Sequence, residues 1–142
     1  MIIKSLELSG FRNYDFLNLE FDRGTNILYG DNAQGKTNIL EAIYLCATTK
    51  SHKGSKDKDI VKFDAQEAHI RSYLEKDGIE RRIDMHLRKN KSKGIAVDQV
   101  RLKKAAELLG LMNVVFFSPE DLSIIKNGPG ERRHFVDMEL CQ

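Results

Sequence analysis

A chain of 142 residues with 41% apolar and 31% charged residues has the length of one domain and enough apolar material to bury a core. It contains no apolar run near the roughly 20 residues of a membrane-crossing helix and no basic leader ahead of a long apolar segment. Its two cysteines, Cys46 and Cys141, are too few and too far apart for a disulfide framework or a zinc site. These exclusions leave a soluble, cytoplasmic protein as the expectation, and a formal net charge of +2 assigns no partner by itself.

Leu6 and Leu8, then Leu17, Leu19 and Phe21, alternate with polar neighbours, so the first 22 residues read as two half-buried strands joined by a turn at Gly10 to Tyr14. After a turn at Asp22-Arg23-Gly24, the continuous run Ile27-Leu28-Tyr29 reads as a strand covered on both faces. Ile39, Leu40, Ala42, Ile43, Cys46 and Ala47 recur at helical spacing and place a helix from Thr37 to near Thr48. Residues 50 to 62 carry five lysines, two aspartates and no apolar period, which predicts a loop or exposed connection. Asp77-Gly78 between two alternating runs predicts a hairpin, and a turn at Lys89 to Gly94 leads to a shorter strand at Ile95 to Val97.

Leu102, Ala105, Ala106 and Leu109 predict a helix stopped by Gly110, and Val114 to Phe117 a buried strand. Ser118-Pro119-Glu120-Asp121 has the cap, proline and acid of a helix start, with a stop at Asn127-Gly128. A last helix opens near Glu131, and its apolar face is still being built at Gln142, which predicts that the chain is part of a longer protein.

The junction Gly30-Asp31-Asn32-Ala33-Gln34-Gly35-Lys36-Thr37 fits GxxxxGK[ST] between a predicted strand and a predicted helix, the context that such a match requires. Free N–H groups and the positive end of the helix dipole attract a phosphate chain, and glycine lets the backbone approach it closely. On this reading Lys36 reaches the β and γ phosphates of a nucleoside triphosphate and the Thr37 hydroxyl ligates Mg²⁺. At ordinary residue frequencies the four fixed positions recur by chance in roughly one chain of this length in two hundred. The alternative is a glycine-rich turn with an exposed lysine. Hydrolysis is not assigned, because no apolar strand running directly into Asp follows.

With GDNAQGKTNILEAIY at 30 to 44, LELSGFRNY at 6 to 14 and VVFFSPEDLSIIKNGPGERRHFVD at 114 to 137, the chain resembles the RecF family of ABC-type ATPases related to SMC chromosome proteins. The resemblance implies an α/β P-loop NTPase head of ABC/SMC type, with a mixed sheet around the P-loop helix. It implies binding of ATP and Mg²⁺, ATP-dependent homodimerisation, and action on gapped or single-stranded DNA with the mediators RecR and RecO to help load recombinase. Residues 1–142 would form the N-terminal part of that head. Within it, 1–64 hold the nucleotide-binding strands and P-loop helix, 65–117 an antiparallel β region and 118–142 the start of a helical lid.

Carried over by position, the phosphate loop is Gly30, Asp31, Asn32, Ala33, Gln34, Gly35, Lys36, Thr37 and Asn38. Arg12 matches a basic residue near the phosphates in related ATPases, or else is a surface turn arginine. Where relatives carry a γ-phosphate-sensing glutamine, this chain has Glu120 and Asp121, which helix capping also explains. The family's signature motif and acidic metal motif are expected beyond Gln142, so these residues alone should hydrolyse little ATP.

Candidates for DNA phosphate contact are Lys53, Lys56 and Lys58 in the first basic stretch and Lys89, Lys91 and Lys93 in the second, with a solvated charged loop as the alternative. His52, His69, His86 and His134 lack metal-ligand spacing and receive no chemistry. Two other functions compete with this reading. A GTPase needs Asn-Lys-x-Asp, against which Asn90-Lys91-Ser92-Lys93 ends in the wrong charge, and a small-molecule kinase needs a substrate lid that nothing identifies. A DNA-binding module with a vestigial P-loop would bind DNA indifferently to ATP.

Overall fold

The computed structural model describes residues 1–118 and 129–140. Strands β1 (Ile2–Phe11) and β2 (Tyr14–Glu20) form the first antiparallel pair, with Leu8 opposite Leu17. Gly10 has φ 60°, and a Cβ there would meet the Glu67 carbonyl oxygen at 2.6 Å, so the chain can turn this close to its neighbour only without a side chain. Strands β3 (Glu67–Lys76) and β4 (Ile79–Arg88) are joined at Asp77 and Gly78, with φ 54° and 77°, the two left-handed residues of a tight hairpin. Strands β5 (Gly94–Val97) and β6 (Val100–Arg101) complete a six-stranded sheet in the order β2-β1-β3-β4-β5-β6, and every pairing in it is antiparallel. Because β1 pairs with β3, one sheet runs through both the 1–64 and the 65–117 stretches.

Helix α1 (Lys36–Thr48) turns Ile39, Ala42, Leu45, Cys46 and Ala47 into the core, where they join Leu6, Leu8, Phe11, Ile70, Leu74, Ile83, Met85 and Leu87 from the sheet. Alternation along the strands sends the other set of side chains, among them Glu7, Arg71, Arg82 and Asp84, to the opposite face, where Arg71 pairs with both Glu7 and Asp84. Cys46 is wholly buried, and burial first, with the Asp84 charge adding to it, pushes its thiol up to about 12, so it acts as a small hydrophobe. No helix among the described residues is long and apolar enough to cross a membrane.

Several expected elements differ. Ile27 to Tyr29 lies in no strand, with Ile27 79% and Tyr29 90% exposed, and Val114 to Phe117 likewise lies in no strand, with Val115 90% and Phe117 79% exposed. No strand among the described residues pairs with either run, and while Leu28 and Val114 pack against the core, the outward residues Ile27, Tyr29, Val115 and Phe117 stay open. Phe116 alone finds a ring contact, against His52 at 4.3 Å and Tyr44 at 5.5 Å between centroids.

The helix expected from Leu102 to Leu109 shrinks to a 3₁₀ turn, Ala105–Leu108. The Leu102 N–H is tied to the Ile95 carbonyl at 2.9 Å, which holds the start of the segment beside the sheet, and Gly110 turns the chain with φ 82°. The stretch 50 to 62 is more ordered than a loop: α2 (Asp57–Ile60) forms within it, and Ile60 and Val61 are buried. Helix α3 spans Pro129–Leu140, opening two residues before Glu131. The short helix expected to start at Ser118, from position 119 onward, and the second cysteine, Cys141, lie outside the described residues.

Candidate functional site

Helix α1 begins on Gly35, whose φ of 97° places it in the left-handed region, and no side chain caps it. Its first turn carries no acidic residue. The Asn38 and Ile39 amides return to the Gly35 carbonyl at 2.8 and 3.2 Å, so the helix starts with a positive, uncapped end. A Cβ on Gly35 would fall 2.6 Å from the Tyr14 hydroxyl and 2.7 Å from the Asn13 amide, so any side chain there would have to displace these two groups as well as adopt a positive φ.

The turn after β1 supports the loop from below. Asn13 Nδ2 and the Tyr14 hydroxyl both donate to the Gln34 carbonyl at 3.3 Å, and Asn38 Nδ2 donates to Asn13 Oδ1 at 2.9 Å. Gly30, with φ 137°, and Ala33, with φ 63°, supply the other left-handed turns, and Gly30, Asp31, Asn32, Ala33, Gln34 and Thr37 are all exposed. The Lys36 ammonium donates to the carbonyls of Gly30 at 2.8 Å and Asp31 at 2.5 Å. The loop thus folds over its own cation, and an anion has to displace two carbonyl oxygens to take their place. Amide donors at an uncapped helix start, a backbone free of Cβ at Gly35 and an ammonium group within the same loop together fit a phosphate chain.

Arg12 does not point at this loop. Its guanidinium forms a two-point bond with Glu41, Nε to Oε2 at 2.8 Å and Nη2 to Oε1 at 2.6 Å, and also reaches Ser55 Oγ and the Asp59 carbonyl. Glu41 is completely buried and accepts a further bond from Ser51 Oγ. Burial alone would raise its carboxyl. Hydrogen bonds from Arg12 and Ser51, with the charges of Arg12 and Lys53, outweigh burial and hold it below its ordinary value of 4.5. A solvated turn arginine does not describe this residue. Arg12 locks the β1–β2 turn, helix α1 and the 51–59 segment to one another.

The two basic stretches, distant in sequence, meet in space. Lys93 crosses to the Thr49 carbonyl at 2.5 Å and Asp57 Oδ1 at 3.0 Å, a cation set against the C-terminal end of α1. Lys89 donates to the Phe63 carbonyl at 2.8 Å. Lys53 reaches back to Asn38 Oδ1 at 3.4 Å, beside the phosphate loop. Lys56, Lys58 and Lys91 are exposed on the surface formed where the stretches join.

A family model described as AAA domain matches residues 5–128. The chain belongs to the AAA-domain family. Within it, the chain is 69% identical over all 142 residues to the DNA replication and repair protein RecF of Lachnoclostridium phytofermentans, of which it covers 39%. A solved structure described as the recombination mediator protein RecF-ATP in the RecFOR pathway superposes on 95% of the chain and 38% of its own, at a TM-score of 0.90 and 42% identity. An SMC ATPase described by its ATP-driven dimerisation and DNA-stimulated activation superposes on 97% of this chain and 99% of its own, with a TM-score of 0.75 and 22% identity, a likeness of fold alone.

These matches bear out the resemblance to RecF and the P-loop head fold of ABC/SMC type read from the residues. This AAA domain spans about 39% of the length of the curated relatives it matches. Sequence patterning did not reveal the Glu41 clamp or the Asn13 and Tyr14 supports, because their partners lie 20 to 29 positions away. A lone Glu at position 41 within an otherwise apolar helical face was the available signal.

Proposed function

We propose that this chain is the ATP-binding part of a RecF-type DNA replication and repair protein. The observation that carries the reading is the uncapped start of α1, where Gly35, Lys36 and Thr37 stand ready for a polyphosphate. The loop from Gly30 to Asn38 would hold the phosphates, with Lys36 exchanging its carbonyl partners for phosphate oxygens. The exposed Thr37 hydroxyl would ligate Mg²⁺, which when bound neutralises charge on the phosphate oxygens. The whole protein would work in the cytoplasm. It would form an ATP-dependent homodimer, act at gapped or single-stranded DNA, and cooperate with RecR and RecO in recombinase loading. Binding is assigned to these residues, and hydrolysis to none of them.

DNA contact is placed on the joined basic stretches, with Lys56, Lys58 and Lys91 as free cations and Lys53 and Lys89 at their edges. Lys93, turned inward onto Asp57, would support the surface rather than touch DNA. In the full-length protein, reversing charge at Lys56, Lys58 and Lys91 should weaken DNA binding. It should also make the dependence of log K on log salt shallower by about 2 to 3 units, as expected for three lost phosphate contacts. An unchanged slope would leave the stretches as a solvated face. DNA affinity indifferent to ATP in the unmodified protein would favour a DNA-binding module with a vestigial P-loop.

A further inference from the structure

We propose that Glu67, His69 and His86 form a binding site for a divalent transition-metal ion of the zinc class, on the solvent face of the sheet. The β3–β4 register puts His69 directly opposite His86, with ring centroids 4.1 Å apart and planes inclined by 21°. Glu67, two residues before His69, projects from the same face of β3, opposite to Ala68 and Ile70 in the core. Its carboxylate already brackets both rings, with Oε2 2.7 Å from His86 Nε2 and Oε1 3.6 Å from His69 Nε2. One ligand atom from each residue lies within 4.8 Å of the other two. A tetrahedral zinc ion with bonds near 2.1 Å holds its ligand atoms about 3.4 Å apart, so modest side-chain rotation closes the set.

Two imidazoles and one carboxylate are the donors that zinc and its neighbours favour, whereas calcium and magnesium take oxygen ligands. The surroundings leave room for an ion. Gly94 stands opposite His86 on β5 and contributes no side chain, and His69, His86 and Gly94 line a surface pocket of about 460 Å³ that would admit water to a remaining coordination position. Of the three arginines that line the same pocket, Arg71 is held by Glu7 and Asp84, and the Arg88 guanidinium donates to the Ser92 carbonyl; the third, Arg101, stands on β6. An ion here would pin β3 to β4 at the hairpin's open end, where the chain leaves for the basic turn at Lys89 to Gly94, well apart from the phosphate loop in sequence and in elements.

The test is calorimetric titration of Zn²⁺ into the full-length protein and into its His69→Gln/His86→Gln variant, with Co²⁺ absorption as a second readout. Both histidines are on the solvent face, and circular dichroism checks that the variant folds. The unmodified protein should take up one equivalent and show the visible bands of tetrahedral Co²⁺ that the variant lacks, with Zn²⁺ affinity falling by about tenfold or more. Equal stoichiometry and affinity in the two proteins, or no uptake by the unmodified one, would overturn the proposal and leave a stacked histidine pair bridged by Glu67.

Discussion

Lys36→Ala should reduce the affinity of the full-length protein for Mg-ATP by a hundredfold or more while leaving its fold intact. Hydrogen bonds from a charged donor contribute about 1.5 to 3 kcal/mol each, and one tenfold change in affinity corresponds to about 1.4 kcal/mol, so losing an ammonium that serves two phosphates removes roughly two decades or more. In the ligand-free protein the same ammonium bonds only to the carbonyls of Gly30 and Asp31 in an exposed loop, where water can replace it. Stability should therefore fall by no more than about 1 kcal/mol. Lys36→Arg should fail as well, because a planar guanidinium does not occupy the space of a compact ammonium. Titration calorimetry beside a thermal melt separates the two effects. Unchanged affinity in Lys36→Ala would remove this residue from the phosphate site.

Glu41→Ala should have the opposite signature, a large loss of stability. Removing one partner of a buried ion pair costs about 3 to 5 kcal/mol, which for a chain of this size lowers the melting temperature by about 10 to 20 °C. Arg12→Ala should cost at least as much, because it leaves a completely buried carboxylate with Ser51 as its remaining side-chain donor. Replacing both residues by apolar side chains of similar volume should recover part of the loss. The pH dependence follows from the depressed carboxyl of Glu41. A folded value below the ordinary 4.5 stabilises the fold above that pH, and the stabilisation disappears as pH falls through the folded value. Glu41→Gln should flatten this acid limb of the stability curve. A melt that shifts equally at pH 4 and pH 7 would show that the charge of Glu41 is not what holds the turn.

Patterns confined to neighbouring residues were legible. Asp77-Gly78 announced its hairpin, and Gly35-Lys36-Thr37 announced a helix start, because turn and cap chemistry are written in adjacent residues. Long-range partners were not. Ile27 to Tyr29 and Val114 to Phe117 have the composition of buried strands, but composition does not say which strand will pair with them, and among the described residues none does. The helix expected after Leu102 failed for a related reason, since a backbone bond to Ile95 holds its first residue beside the sheet.

The histidine pair was a missed inference rather than a hidden one. His69 lies seven residues before Lys76 and His86 seven after Ile79, so the register set by the turn already paired them. Arg12 carries a role that its place in the chain did not announce, since the buried carboxylate it pairs with lies 29 residues later.

The most direct measurement is residue-resolved amide spectroscopy of the full-length protein with Mg-ATP and, separately, with adenosine. If the helix start at Gly35 is the polyphosphate cradle, ATP should shift and protect the amides from Asp31 to Asn38, and adenosine, lacking phosphates, should leave them unmoved. Loop amides that stay unperturbed while ATP saturates the protein, with the changes clustered elsewhere in the fold, would contradict the account at its root.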